Sequence, residues 1–91
     1  MESLIRLDEA GLKLVKSGLA MKRNALEHNL RQYERRARQF ESEFEMASEV
    51  FIERFRVGSL GDESQWFEWE FVLDAARETQ REMELLDSIG L

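Results

Sequence analysis

Through the first half of the chain an apolar residue recurs at every seventh position: Ile5, Leu12, Leu19, Leu26, Tyr33 and Phe40. Leu30, Ala37 and Phe44 lie four residues beyond the last three of these. A stripe at seven with a second at four marks a helix with one apolar face. The spacing predicts a single helix from about 8 to about 45, with Asp8 as its N-cap. Lys22, Arg23, Arg31, Arg35, Arg36 and Arg38 fall on the opposite face and are expected in solvent.

The start of this segment reads two ways. Gly11 and Gly18 each cost a helix interior about 1 kcal/mol relative to alanine. Residues 3–16 could instead form a β-hairpin, Ser3–Leu7 against Leu12–Lys16, around the turn-like Asp8-Glu9-Ala10-Gly11. Read as helix, Gly11, Gly18 and Ala25 make a small-residue stripe that lets a second helix approach.

A short helix is expected at about 49–57, with Ser48 as its cap, Phe51 and Phe55 on one face, and Gly58 as a left-handed stop. The last helix is expected at about 65–88, capped by Asp62 or Ser64. Its inward stripe reads Trp66, Trp69, Leu73, Ala76, Met83 and Leu86, with Val72 beside it and Gln80 as a polar interruption. The expected fold is all-α: long helix, short helix, long helix, folded as an antiparallel hairpin in one domain.

Length makes the pattern informative. A helix of about 38 residues spans about 57 Å, whereas a compact chain of this size has a radius of gyration near 12 Å. A final helix of about 36 Å covers only part of the first. Apolar residues among Leu4, Ile5, Leu7, Leu12, Leu14, Val15 and Leu19 are then left for a second copy of the chain, and the expected state is a dimer or higher oligomeric bundle.

Composition narrows the function classes. There is no cysteine and no proline in 91 residues, so neither a disulfide framework nor a thiolate metal site is available. Uninterrupted apolar runs are two or three residues long, which excludes a membrane span or signal-peptide core, and the expected setting is cytoplasmic. The net charge of −6 conceals a division. Residues 1–40 carry nine Lys/Arg against five Asp/Glu, and residues 41–91 carry four against fourteen. Opposite halves favour pairing with each other, and the acidic excess suits a basic partner.

Candidate chemistry is sparse. His28 is the sole histidine, and a solvated role is favoured over metal ligation because no second nitrogen ligand accompanies it. Glu41, Glu45 and Glu49 are spaced at four, but the Glu-x-x-His signature of helical di-metal proteins is absent. Gly58-Ser59-Leu60-Gly61 is not a phosphate-binding loop. The reading is a non-enzymatic chain without cofactor or metal. The basic run from Lys22 to Arg38, with Tyr33 in it, could follow phosphates, but Glu27 and Glu34 dilute it, and pairing with the acidic half is favoured over nucleic acid. The cluster Trp66, Phe67, Trp69 and Phe71 has two faces about 100° apart on a helix. Either both faces enter a wide core shared with Phe51 and Phe55, or Phe67 and Phe71 anchor a partner. The candidate interface residues are therefore Leu12, Leu19, Leu26, Trp66, Phe67, Trp69 and Phe71.

Residues 40–69 read Phe-Glu-x-x-Phe-x-Met-x-x-x-x-Phe-x-x-x-Phe-x-x-Gly-x-Leu-Gly-Asp-x-x-x-x-Phe-Glu-Trp. The matching positions are Phe40, Glu41, Phe44, Met46, Phe51, Phe55, Gly58, Leu60, Gly61, Asp62, Phe67, Glu68 and Trp69. This resembles a motif of small archaeal and bacterial helical proteins, several of them encoded beside toxin-like genes and treated as antitoxin-like. It covers about a third of the chain. Such sequences commonly carry Lys-Tyr-Gly-Met where this chain has Glu43-Phe44-Glu45-Met46, so helix one is expected to run on with no glycine stop. The resemblance implies the hairpin fold and a protein-binding role, with a basic toxin-like protein as partner. Two alternatives stand beside it: a structural homo-oligomer, and a nucleic-acid binder using the 22–38 ridge.

Overall fold

The structure, a computed structural model, describes residues 8–89. These form three helices, α1 (Glu9–Phe44), α2 (Ser48–Arg56) and α3 (Ser64–Asp87). Among the described residues there is no strand. Asp8 caps α1, its Oδ1 accepting the Gly11 N–H at 2.7 Å. The helix passes through Gly11 and Gly18, so the Leu12–Lys16 arm of the alternative β-hairpin is helical. Its other arm, Ser3–Leu7, and Ile5 of the apolar stripe lie outside the described residues.

α1 and α3 pack antiparallel. Arg36 meets Glu68, Lys22 meets Glu82 and Arg23 meets Asp87, so numbers fall along α3 as they rise along α1. The basic and acidic halves therefore pair within one chain. Over the length of α3 the apolar stripe of α1 faces it as its spacing predicts: Leu26 and Phe40 are buried, and Leu19, Leu30, Tyr33, Ala37 and Phe44 are half-buried, while Leu12, also half-buried, lies beyond the end of α3. α1, at 36 residues, outreaches α3, at 24, by about 18 Å. The radius of gyration is 18.9 Å and the principal extents are 57 × 29 × 19 Å, the dimensions of a rod and not of a sphere.

The seam of α3 differs in phase from the expected one. The buried residues are Trp66, Trp69, Val72 and Thr79. Leu73 is half-buried and Gln80 is exposed. Steps of three and four through 69, 72, 76, 79, 83 and 86 keep one side on α1, whereas Leu73 turns toward Ile52 of α2, with which it shares a groove. The polar residue of the seam is thus Thr79, whose Oγ1 donates to the Ala75 carbonyl at 2.7 Å and so needs no partner from α1.

Both helix stops place a left-handed residue after the last turn and close it with a bond from the next N–H to a carbonyl five residues back. At the end of α2, Gly58 has φ 73°, Ser59 N–H donates to the Arg54 carbonyl and Gly58 N–H to that of Phe55, the Schellman pattern. At the end of α1, Met46 N–H donates to the Glu41 carbonyl, but the left-handed position is held by Glu45, φ 48° and ψ 48°. Helix one therefore stops without a glycine, at the end its spacing predicts, and the departure from the motif at 43–46 does not let it run on.

The expected caps are replaced too. Ser48 is the first residue of α2 and donates its N–H to Glu41 Oε2 at 3.0 Å, so a carboxylate from α1 sits against the positive end of α2. Glu63 holds the N-cap position of α3 with no side-chain cap bond. The capping box of Asp62 or Ser64 does not form.

Candidate protein-docking face

Trp69 sits at the centre of the α2 end. It is fully buried, stacked between Phe51 at 4.0 Å and Phe40 at 5.5 Å between ring centroids, and its Nε1 donates to Ser48 Oγ at 3.2 Å. Trp66 tilts against Phe44 at 4.7 Å, and its buried Nε1 has no acceptor. Trp66, Trp69 and Leu26 are therefore core residues of the chain itself and are not free to form an interface. Leu12 and Leu19 remain half-buried, the latter beside a notch shared with Lys16, Arg23 and Leu86.

Phe67 and Phe71 lie on the outer flank of α3, 51% and 61% exposed. Each keeps one edge contact: Phe67 with Phe55 at 5.4 Å and 84°, Phe71 with Tyr33 at 6.5 Å and 86°. These T-shaped contacts tether the rings while leaving more than half of each side chain exposed. The two expected faces of the cluster thus separate, the tryptophans inward and the phenylalanines outward. Leu85, 63% exposed, continues the outer stripe two heptads beyond Phe71, and sequence reading missed it because it lies outside the aromatic run.

The rim of this face is acidic. Glu68 accepts two bonds from Arg36, at 2.8 and 3.1 Å, and the Arg36 guanidinium lies 4.1 Å from the Phe40 ring centroid. The Arg36 hydrogen bond holds the Glu68 carboxyl below the usual carboxylate range, and the guanidinium is raised in turn. Glu70 is pushed up, first by its hydrogen bond with Asp74, then by partial desolvation and the Asp74 charge. Asp74 in turn accepts from Arg77 Nη1 at 3.3 Å.

The other candidates fall apart as sites. Glu45 and Glu49 are exposed while Glu41 turns inward to Ser48, because the chain bends at 45–47, and the spacing of four is not one helix face. His28 is exposed. Among the described residues no group of three or more histidine, aspartate or glutamate side chains could hold a metal ion, and no helix is long and apolar enough to cross a membrane. In the basic run, Lys22, Arg23 and Arg36 are engaged with α3 acids, while Arg31, Arg35 and Arg38 are exposed. Comparison with known protein families, curated proteins and solved structures finds no match to this chain.

Proposed function

We propose that the chain is a non-enzymatic helical docking module that binds another protein through the outer flank of α3. One observation carries the reading: two edge-held aromatic rings stay half or more exposed although the same helix fills a complete aromatic core with its other side. Aromatic side chains of limited freedom dominate interface energetics when covered. The acidic excess of residues 41–91, fourteen Asp/Glu against four Lys/Arg, suits a partner with a basic surface, and opposite charge speeds encounter. An antitoxin-like role, in which this face masks a basic toxin-like protein in the cytoplasm, fits that chemistry and the motif at 40–69. Association with further copies of the chain belongs to the same reading. The engagement of Lys22, Arg23 and Arg36 within the hairpin supports a protein partner over a nucleic acid.

The test is a pull-down with the products of adjacent genes, followed by binding kinetics. A basic protein should be retained, its association slowing as salt rises, and Phe67→Ala or Phe71→Ala should speed its dissociation about tenfold or more. Retention of RNA at physiological salt, with no protein partner among the neighbours, would overturn the reading.

A further inference from the structure

Nothing in the local sequence requires the bend between α1 and α2. Between Gly18 and Gly58 there is neither glycine nor proline, and Glu45, Met46 and Ala47 are all good helix formers. The left-handed position, φ 48° and ψ 48°, falls on Glu45, where a side chain is strained. Ala47, at the N-cap of α2, makes no side-chain cap bond. The end of α1 is also poorly charged. Its last turn has no basic residue, and Glu41, Glu43 and Glu45 stand near the negative end of the helix dipole. The bend after α2 differs, since Gly58 and Gly61 both take positive φ there.

The apolar pattern runs straight through the first bend. Phe44 and Phe51 continue the spacing of seven from Leu30 and Ala37, so in one helix all four share a face. Such a helix, spanning 9–56, would begin with Glu9 and end with Arg54 and Arg56, signs that suit its dipole. The Ser48 N–H, now held by Glu41 Oε2, would bond the Phe44 carbonyl instead. α3 can stay in place. Straightening carries Arg56 about 18 Å beyond Phe44, and the connector 57–63 reaches about 23 Å when extended. Two things hold the bend. Phe51 stacks on Trp69 at 4.0 Å, and in a straight helix Glu41, Glu45, Glu49 and Glu53 would follow one another at steps of four, a ladder of like charge.

We infer that residues 45–47 are a switch: α1 and α2 exchange between the bent pair and one continuous helix, and α2 is a lid that the straight form lifts from Phe40 and Trp69. The bent form dominates, and charge gates the exchange, because relief of repulsion along the glutamate ladder favours the straight helix. The switch concerns the aromatic seam under α2 and holds whether or not the α3 flank docks a partner.

The chain has no cysteine, so spin labels on Arg31→Cys and Arg54→Cys, both at exposed positions, report the bend by double electron–electron resonance. One helix sets the two backbones about 35 Å apart, and the bent pair brings them closer. The shorter distance should dominate in the otherwise unaltered chain, and the longer one should grow as salt screens the carboxylates. Glu49→Lys turns two repulsive steps into attractive ones and puts a cation at the start of α2, so the ratio of long to short should rise about fivefold. Glu45→Gly relaxes the bend and weakens a helix interior, and should lower that ratio about fivefold. Both positions are exposed, so neither change touches the core. Trp69 is fully buried in the bent form, so acrylamide quenching of tryptophan fluorescence should rise in Glu49→Lys and not in Glu45→Gly. Identical distances in the two variants overturn the inference, as does a Glu49→Lys variant with no longer distance even at high salt. Longer distances without added quenching would mean that straightening uncovers nothing, and the lid would be wrong.

Discussion

At the α2 end of the hairpin, Phe40, Phe51 and Trp69 are sealed from solvent and stacked on one another, with Trp66 and Val72 completing the cluster. At the other end Leu12, Leu19, Met83 and Leu86 are each only half-buried, and Leu26 is the last fully covered residue of α1 in that direction. The same two helices run through both regions, so the difference comes from α2. At one end a third element closes over the seam; at the other, two helices alone cannot enclose their side chains. Stability is concentrated where three elements meet, and the seam stays open where only two do.

The largest effect that would break this comparison is on core packing. Phe51→Ala should destabilise the chain by about 3–5 kcal/mol, as large-to-small changes at a buried aromatic do, whereas Leu19→Ala should cost about 1 kcal/mol. Urea denaturation at low protein concentration, where any dimer is dissociated, reads both midpoints. Equal losses would mean that the open end is as well sealed as the other.

The two helix stops beside α2 sharpen the contrast at smaller scale. Both have a left-handed residue after the last turn, Gly58 in one and Glu45 in the other. A side chain there costs about 1–2 kcal/mol, and a β-branched one costs more. Gly58→Val should therefore destabilise by at least about 1 kcal/mol. Glu45→Gly should stabilise by about 0.5 kcal/mol, the relief of strain being offset by the freedom glycine adds to the unfolded chain. Opposite shifts of the denaturation midpoint are the expected result, and two losses would mean that Glu45 makes a contact that outweighs its strain.

Much of this was legible in the pattern of residues, and the failures are specific. The three helices, the α1 stripe and Gly58 follow from periodicity and from glycine's freedom at positive φ, both local properties. The phase of the α3 seam did not, because Val72 and Leu73 are equally apolar and only the position of α2 decides which faces α1. The cap of α2 was missed because its acceptor is Glu41, seven residues back across a turn, where Ser48 offered a nearer candidate. Trp66 and Trp69 were legible as the inward pair from their register with Ala76, Met83 and Leu86, but whether Phe67 and Phe71 joined a wide core or stayed outside was not, since that depends on where α2 lies. The exposed flank of α3 became visible only once α1 and α2 had covered the rest.

The smallest effect concerns the surface charges that span the hairpin, and it separates two carboxylates on the same helix. Glu68 has a folded-state value below its unfolded one, so its contribution is fully present above the unfolded carboxylate pKa, about 4.3, and is lost as pH falls through the folded value. Glu70 is raised, so the folded state holds its proton more tightly, and stability declines as pH rises from the unfolded value to the folded one. Glu68→Gln should flatten the acid limb of a stability-against-pH curve below about 4.3, and Glu70→Gln should flatten the opposing slope just above it. Both groups are exposed or half-exposed, so solvent screens them and the changes in slope should be small beside the core and turn effects. Urea midpoints taken across the acid range measure them. An unchanged acid limb in Glu68→Gln would mean that the Arg36 bridge adds nothing to folding, leaving the closure at Phe40, Phe51 and Trp69 to hold the two helices together.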